Sequence, residues 1–142
     1  HQIQGILFKQ CKGYNGIIPF EPYSELKNAY YNTLAVNQRR LSVFGDISVA
    51  FHSQQIAYIP VKGHSIAQYY PVPLLRTMGD IDVLLSTEDR LKAHGILLQS
   101  GFQNIVHEDA EWEYKKGEIE IELHDRLEYE QLAQHRFENY QL

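Results

Sequence analysis

Two short runs, Asp80-Ile81-Asp82-Val83 and Glu120-Ile121-Glu122-Leu123, alternate carboxylates with branched apolar residues. Along an extended strand successive side chains take opposite faces, so Asp80 and Asp82 share one face and Ile81 and Val83 the other. The two aspartate Cα atoms then stand roughly 6.5 to 7 Å apart, a reach that suits metal ions spaced about 3.5 to 4 Å. Two like charges next to Ile81, Val83, Leu84 and Leu85 are costly to bury without a cation. If the second run pairs beside the first, Glu122 joins the aspartates, with Glu120 as second choice. Three carboxylates are what holding Mg2+ (or Mn2+) on a triphosphate requires, because a hard ion takes oxygen ligands and leans on substrate phosphates. Asp-x-Asp also occurs on ordinary solvated strand faces, and Glu118 in the second run reads that way.

Basic and small residues precede the aspartates. Lys62-Gly63 follows the apolar run Ala57-Tyr58-Ile59-Pro60-Val61 and precedes a short helical stretch, so backbone amides there can face phosphate oxygens while glycine allows close approach. Ser65 adds a hydroxyl, and Arg76 offers a guanidinium fork that matches phosphate. Alone, a Lys-Gly pair is an ordinary turn and a loop arginine an ordinary surface residue. The seven histidines form no His-x-x-x-His pair, and a single cysteine excludes a cysteine-rich zinc site. His64 and His124 read first as structural or surface histidines. No Gly-x-Ser-x-Gly, Walker A or Gly-x-Gly-x-x-Gly pattern occurs, which removes the main support for hydrolase, P-loop and dinucleotide-fold readings.

The elements that must position these residues are legible in outline. Ile3, Ile6 and Leu7 predict a short helix within residues 1–11, and Gly13 to Pro22 reads as a loop. Ser24 then caps a long amphipathic helix through Leu26, Tyr30, Leu34, Leu41, Phe44 and Phe51, with Gly45 a point of bending. Ala57–Val61 predicts a strand, at an edge or strand end because of Pro60. A short helix over His64–Tyr70 stops at Pro71-Val72-Pro73, and a loop carries Arg76 to a strand over Asp80–Leu85. Thr87 caps the next helix, with Glu88 and Asp89 in its first turn and Gly101 at its end. Phe102–Val106, Glu111–Lys115 and Glu118–Leu123 predict three strands, the last two joined at Lys116-Gly117. The tail from Glu128 has a helical composition.

With 142 residues, 44% hydrophobic and 22% charged, the expectation is one domain over 1–142 that buries a true core. The net charge is -5, and the eleven acidic and four basic residues from Glu108 onward concentrate the acid late. Such a balance argues against a broad nucleic-acid footprint. Cys11 alone allows no intrachain disulfide; with no apolar run of membrane length and no signal-peptide pattern, a soluble cytoplasmic protein is expected. The chain opens on His1 rather than Met, as a piece of a longer protein would.

Taken in order, Ile59-Pro60-Val61-Lys62-Gly63, Arg76-Thr77-Met78-Gly79-Asp80-Ile81-Asp82-Val83-Leu84 and Ile121-Glu122-Leu123-His124 resemble the uncharacterised nucleotidyltransferase family of the polymerase-beta-like superfamily. The motif core runs from about residue 56 to 124. The resemblance implies an α+β fold, a mixed β-sheet flanked by α-helices with a long N-terminal helix. It also implies Mg2+ dependence and a nucleoside triphosphate donor, with Asp80, Asp82 and Glu122 as metal ligands. The chain departs from the superfamily's broad pattern in having Gly63-His64 at the phosphate turn and a longer interval to Asp80. The expected activity is nucleotidyl transfer to an unidentified acceptor, with Lys62, Gly63, Ser65 and Arg76 on the phosphates. Two rivals stay open: a toxin-type nucleotidyltransferase acting on RNA or protein, and a non-catalytic nucleotide-binding or protein-interaction domain of the same fold.

Overall fold

The computed structural model describes residues 3–14, 16–108 and 111–126. The tail from Glu128, expected to be helical, lies outside them. Helix α1 (Gln4–Cys11) is followed by a 3-10 turn, and α2 (Phe20–Ser53) then runs 34 residues without interruption. The long helix starts ahead of Ser24, at Pro19 as its N-cap, and takes Pro22 into its first turn. Proline is tolerated there because first-turn amides have no carbonyl one turn back to bond. Gly45 lies within the helix with open space where a Cβ would be.

Among the described residues five strands make one mixed sheet in the order β1-β2-β5-β4-β3. Edge strand β1 (Tyr58–Pro60) pairs antiparallel with β2 (Ile81–Leu85), as a proline-bearing strand must be placed where its missing N–H costs no ladder bond. Between them the chain forms a short helix α3 (Lys62–Ala67) and a 3-10 turn over Pro73–Leu75. Lys62 and Gly63 thus belong to the first turn of α3, where the sequence suggested a turn preceding it.

Helix α4 (Thr87–Gln99) is capped by Ser86, whose hydroxyl accepts from the Asp89 amide, and not by Thr87. Ser86 has the extended backbone an N-cap needs. Gly101, at a φ of 84°, ends the helix as expected. Strands β3 (Gln103–His107), β4 (Glu111–Lys116) and β5 (Ile119–His124) complete the sheet as antiparallel neighbours. The β4–β5 turn is Gly117-Glu118, one residue later than expected, with Gly117 at a φ of 60°. Such a glycine-first two-residue loop suits the twist of a hairpin.

Alternation then sorts the side chains. Ile81, Val83 and Leu85 of β2, Trp112 and Tyr114 of β4, and Ile119, Ile121 and Leu123 of β5 face α2 and α4. There they pack on Phe44, Ile47 and Phe51 of α2 and Ala93 and Leu97 of α4. Leu41, expected on the buried stripe of α2, is exposed, and Ile47 is buried instead. Each large aliphatic side chain removed from water contributes about 1.5 to 3 kcal/mol, so this layer is the main source of stability. The N-terminal half of α2 carries a second contact, where Phe8 of α1 meets the rings of Tyr23, Tyr30 and Tyr31. Beyond β5, Asp125 pairs with Arg90 of α4 at 2.9 Å, and Arg90 stacks over Trp112, which ties the strand's end to the helix layer. No helix among the described residues is long and apolar enough to cross a membrane.

Candidate functional site

The opposite face of the sheet holds the acids. Strands β2 and β5 run parallel with Asp82 beside Glu122, so the two carboxylates leave neighbouring strands on the same face. One step further along, Leu84 stands beside His124, and Glu113 of β4 lies across from Glu122. The period-two pattern of Glu120, Glu122 and His124 against Ile119, Ile121 and Leu123 is therefore a division between this face and the core.

Asp82 is only 1% exposed and His124 4%, unusual burial for groups of this polarity. The Nε2 of His124 is 3.1 Å from the Asp82 Oδ1 and 3.3 Å from the Glu122 Oε2. Lys62 reaches in from the start of α3 and places its Nζ 2.5 Å from the same Asp82 oxygen and 3.8 Å from Glu122. An ammonium thus occupies the position where buried carboxylates call for positive charge. The donor atoms of Asp82, Glu122 and His124 lie within 4.8 Å of one another, as the ligands of one metal ion do. A neighbouring set of Glu111, Glu113 and Glu122 meets the same criterion. Asp80 precedes β2 and lies close enough to Glu122 for their carboxyls to share a hydrogen bond.

Electrostatics separate these acids. Burial pushes the Glu122 carboxyl up to about 8, and the charges of Asp80, Asp82 and Glu111 add to it. Burial also opposes ionisation of Asp82, but hydrogen bonds from His124 and Lys62 outweigh it and hold that carboxyl below its ordinary value. His124 is held above its ordinary value by the Asp82 hydrogen bond. Lys62 keeps its proton more firmly than a free lysine, since Asp82 and Glu122 outweigh its partial burial. These opposite shifts favour the proton on Glu122 and the negative charge on Asp82.

The basic residues approach from the strand entrance. Lys62 stands at a φ of 49°, a left-handed backbone that costs a non-glycine residue on the order of 1 kcal/mol. Strain of that kind often marks a site. A Cβ on Gly63 would lie 2.8 Å from an Arg76 Nη, so the guanidinium passes directly over the glycine backbone. Arg76 also faces the Tyr70 ring at 5.9 Å. The Ser65 hydroxyl donates to the Pro60 carbonyl and closes the bend from β1 into α3. The structure therefore gathers Asp80, Asp82, Glu122 and Lys62 in one place and sets Gly63 and Arg76 together beside them, while Ser65 bonds its own backbone.

Sequence reasoning placed His124 behind a structural role, yet it is the buried partner of Asp82. The signal was its place two residues after Glu122 in the alternating run. His64, half-buried, packs edge-on against Phe44 at 5.1 Å, and burial lowers its pKa. Glu120 pairs with Lys115, and exposed Glu118 pairs with Arg39. An open cavity of about 740 Å³ lies at the far end of β2 and β5, bordered by Tyr58, Ile59, Leu84 and Asp125; Asp80, Asp82 and Glu122 do not line it.

Comparisons with curated proteins and with solved structures give no match. The family described as uncharacterised nucleotidyltransferase matches over residues 1–141, nearly the whole length. With that match over nearly every residue, including the strands that pair Asp82 with Glu122, the chain belongs to the uncharacterised nucleotidyltransferase family.

Proposed function

We propose that the protein is a Mg2+- or Mn2+-dependent nucleotidyltransferase that moves a nucleoside monophosphate from a nucleoside triphosphate to an acceptor hydroxyl or similar group. The observation that carries this reading is the register of Asp82 beside Glu122 on parallel strands, both facing a site that His124 and Lys62 enter. Asp80, Asp82 and Glu122 would hold the divalent cation, which would supply positive charge to neutralise the triphosphate and the leaving pyrophosphate. The donor atoms that converge are two carboxylates and an imidazole, Asp82, Glu122 and His124, a set in which carboxylate oxygens suit a hard ion; Asp80 would join from beside Glu122.

The remaining work belongs to the chain itself. Lys62, whose ammonium lies 2.5 Å from the Asp82 carboxylate, is placed to contact the phosphates as well. Arg76 grips phosphate oxygens in a fork over Gly63, where the absence of a side chain leaves room, and Ser65 fixes the bend that carries Lys62 and Gly63. His124 donates to Asp82 and holds its carboxylate in one orientation. The acceptor oxygen attacks the α-phosphorus in line, the bond to the bridging oxygen breaks and pyrophosphate leaves; the acceptor's proton passes to a carboxylate of the site. Positioning and charge neutralisation account for most of the acceleration.

The test is incubation of the full chain with each α-labelled triphosphate and Mg2+, beside Asp82→Asn. Label transfer or pyrophosphate release that falls by at least about a hundredfold in the variant is expected. Equal release from both proteins overturns the site.

A further inference from the structure

Asn37 is a polar residue on the buried face of α2, 1% exposed, two turns before Phe44. Its carboxamide donates to the carbonyls of Leu74 and Arg76, each at 2.8 Å. One turn later Arg40 donates to the carbonyls of Met78 at 2.6 Å and Gly79 at 2.8 Å, and at 3.3 Å to the Asn37 Oδ1. Two side chains from one helix thus bond four carbonyls between Leu74 and Gly79. That segment contains Arg76 and ends where Asp80 begins.

A hydrophobic residue at position 37 would satisfy the packing, whereas a buried carboxamide costs stability unless every hydrogen bond is made. The bonds are made, and their targets are backbone atoms flanking the residues of the proposed site. Asn37 fixes the peptide carbonyl of Arg76 itself, the residue whose guanidinium crosses Gly63. Arg40 fixes the two carbonyls immediately before Asp80, the residue that crowds Glu122.

We infer that Asn37 and Arg40 are positioning residues with separable tasks: Asn37 sets Arg76 for the phosphates, and Arg40 sets Asp80 for the divalent cation. This rests on the metal and phosphate roles proposed above. The split follows from where each side chain grips the segment, since a guanidinium fork spanning two successive carbonyls fixes the direction of the chain that follows.

The experiment uses the full chain and two probes: Mn2+, followed by loss of its free-ion resonance signal, and tripolyphosphate with saturating Mg2+, followed by calorimetry. Arg40→Lys keeps the charge but loses the fork, and is expected to weaken Mn2+ about tenfold, the usual cost of removing support behind a metal ligand. It should leave tripolyphosphate within about twofold once metal is saturating. Asn37→Ser and Asn37→Ala are expected to weaken tripolyphosphate about tenfold and leave Mn2+ within about twofold.

Ile47→Val, which loosens α2 packing without touching either side chain, should move neither constant. Asp82→Asn separates the two levels of the argument. If Mn2+ binding persists unchanged in it, the metal reading falls and this inference with it. If Asp82→Asn abolishes binding while Arg40→Lys binds as the parent does, the positioning role alone is overturned. Parallel losses of both probes in both sets of variants, following the drop in melting temperature, overturn it too and leave a structural clamp. Should neither Asn37 variant fold by circular dichroism, the Arg40 arm decides.

Discussion

At the scale of single residues, the central fact is that the acids are unequal. In the metal-free protein Glu122 holds its proton to about pH 8, against an ordinary value of 4.5, so stability falls as pH rises across that interval. His124 is raised from 6.5, so its contribution is complete below that value and is lost as pH climbs through the raised one. Both effects run in the same direction. Asp82 is lowered, so its contribution is present above its ordinary 3.8 and is lost on acidification. Melting in EDTA should therefore be highest near pH 4.5 and decline from there toward pH 9. Glu122→Gln should remove most of that decline and raise stability at pH 8 by on the order of 1 to 2 kcal/mol, after solvent screening. Parallel melting profiles of parent and variant across this range would show that acid crowding at Glu122 is not the cause.

Gly63 gives a second residue-scale prediction. A methyl group there meets the mobile end of Arg76 rather than backbone, so Gly63→Ala should fold with a nearly unchanged melting temperature. The displaced guanidinium should nevertheless lower tripolyphosphate affinity by about tenfold, the worth of a charge-assisted fork. Calorimetry with saturating Mg2+ checks it, and unchanged affinity would remove Arg76 from the phosphate site.

At the scale of elements, local signals and boundaries part company. Ser86 caps α4 through the Asp89 amide, so Ser86→Ala should cost about 1 kcal/mol in urea unfolding, while Thr87→Ala should cost clearly less. The expected cap was Thr87; which of the two adjacent hydroxyls takes the extended backbone is set by the structure. Gly45 lies exposed in an unbroken α2, so Gly45→Ala should stabilise by about 0.5 to 1 kcal/mol, measured the same way. Glycine was read as a bend because propensity alone disfavours it; packing of Phe44 and Ile47 on the sheet overrides that. The five strands and the edge position of β1 were legible from alternation and from Pro60, with ends displaced by a residue or two. The Asp82–Glu122 register was legible only as a condition, because pairing partners are set by tertiary packing. Asn37 was missed, although it interrupts an apolar stripe between Leu34 and Leu41 and such an interruption is visible without coordinates. What each buried polar group bonds to is a long-range fact that one-dimensional periodicity does not contain.

At the scale of the whole molecule, the sheet divides its labours between faces, with apolar residues toward the helices and acids away from them. The aromatic contact of α1 with α2 stands apart from this layer. Phe8→Ala should therefore speed amide exchange in α1 while amides of β2 and β5 stay protected and Mn2+ affinity stays within about twofold. Phe51→Ala, in the sheet layer, should instead cost about 3 to 5 kcal/mol and lower protection throughout. If deleting the Phe8 ring exposes β2 as much as α1, the two contacts form one cooperative unit.

The strand order carries a consequence for biosynthesis. Among the strands of the described residues the fifth emerges from the ribosome after the other four, yet it is inserted between the second and the fourth. A nascent chain that has emerged only as far as Gly117 holds two incomplete ribbons with no common neighbour. Because the sheet cannot close until this distant segment arrives, its closure should be the slow step of assembly. A translation product that stops short of Ile119 would keep both aspartates and still lack a site.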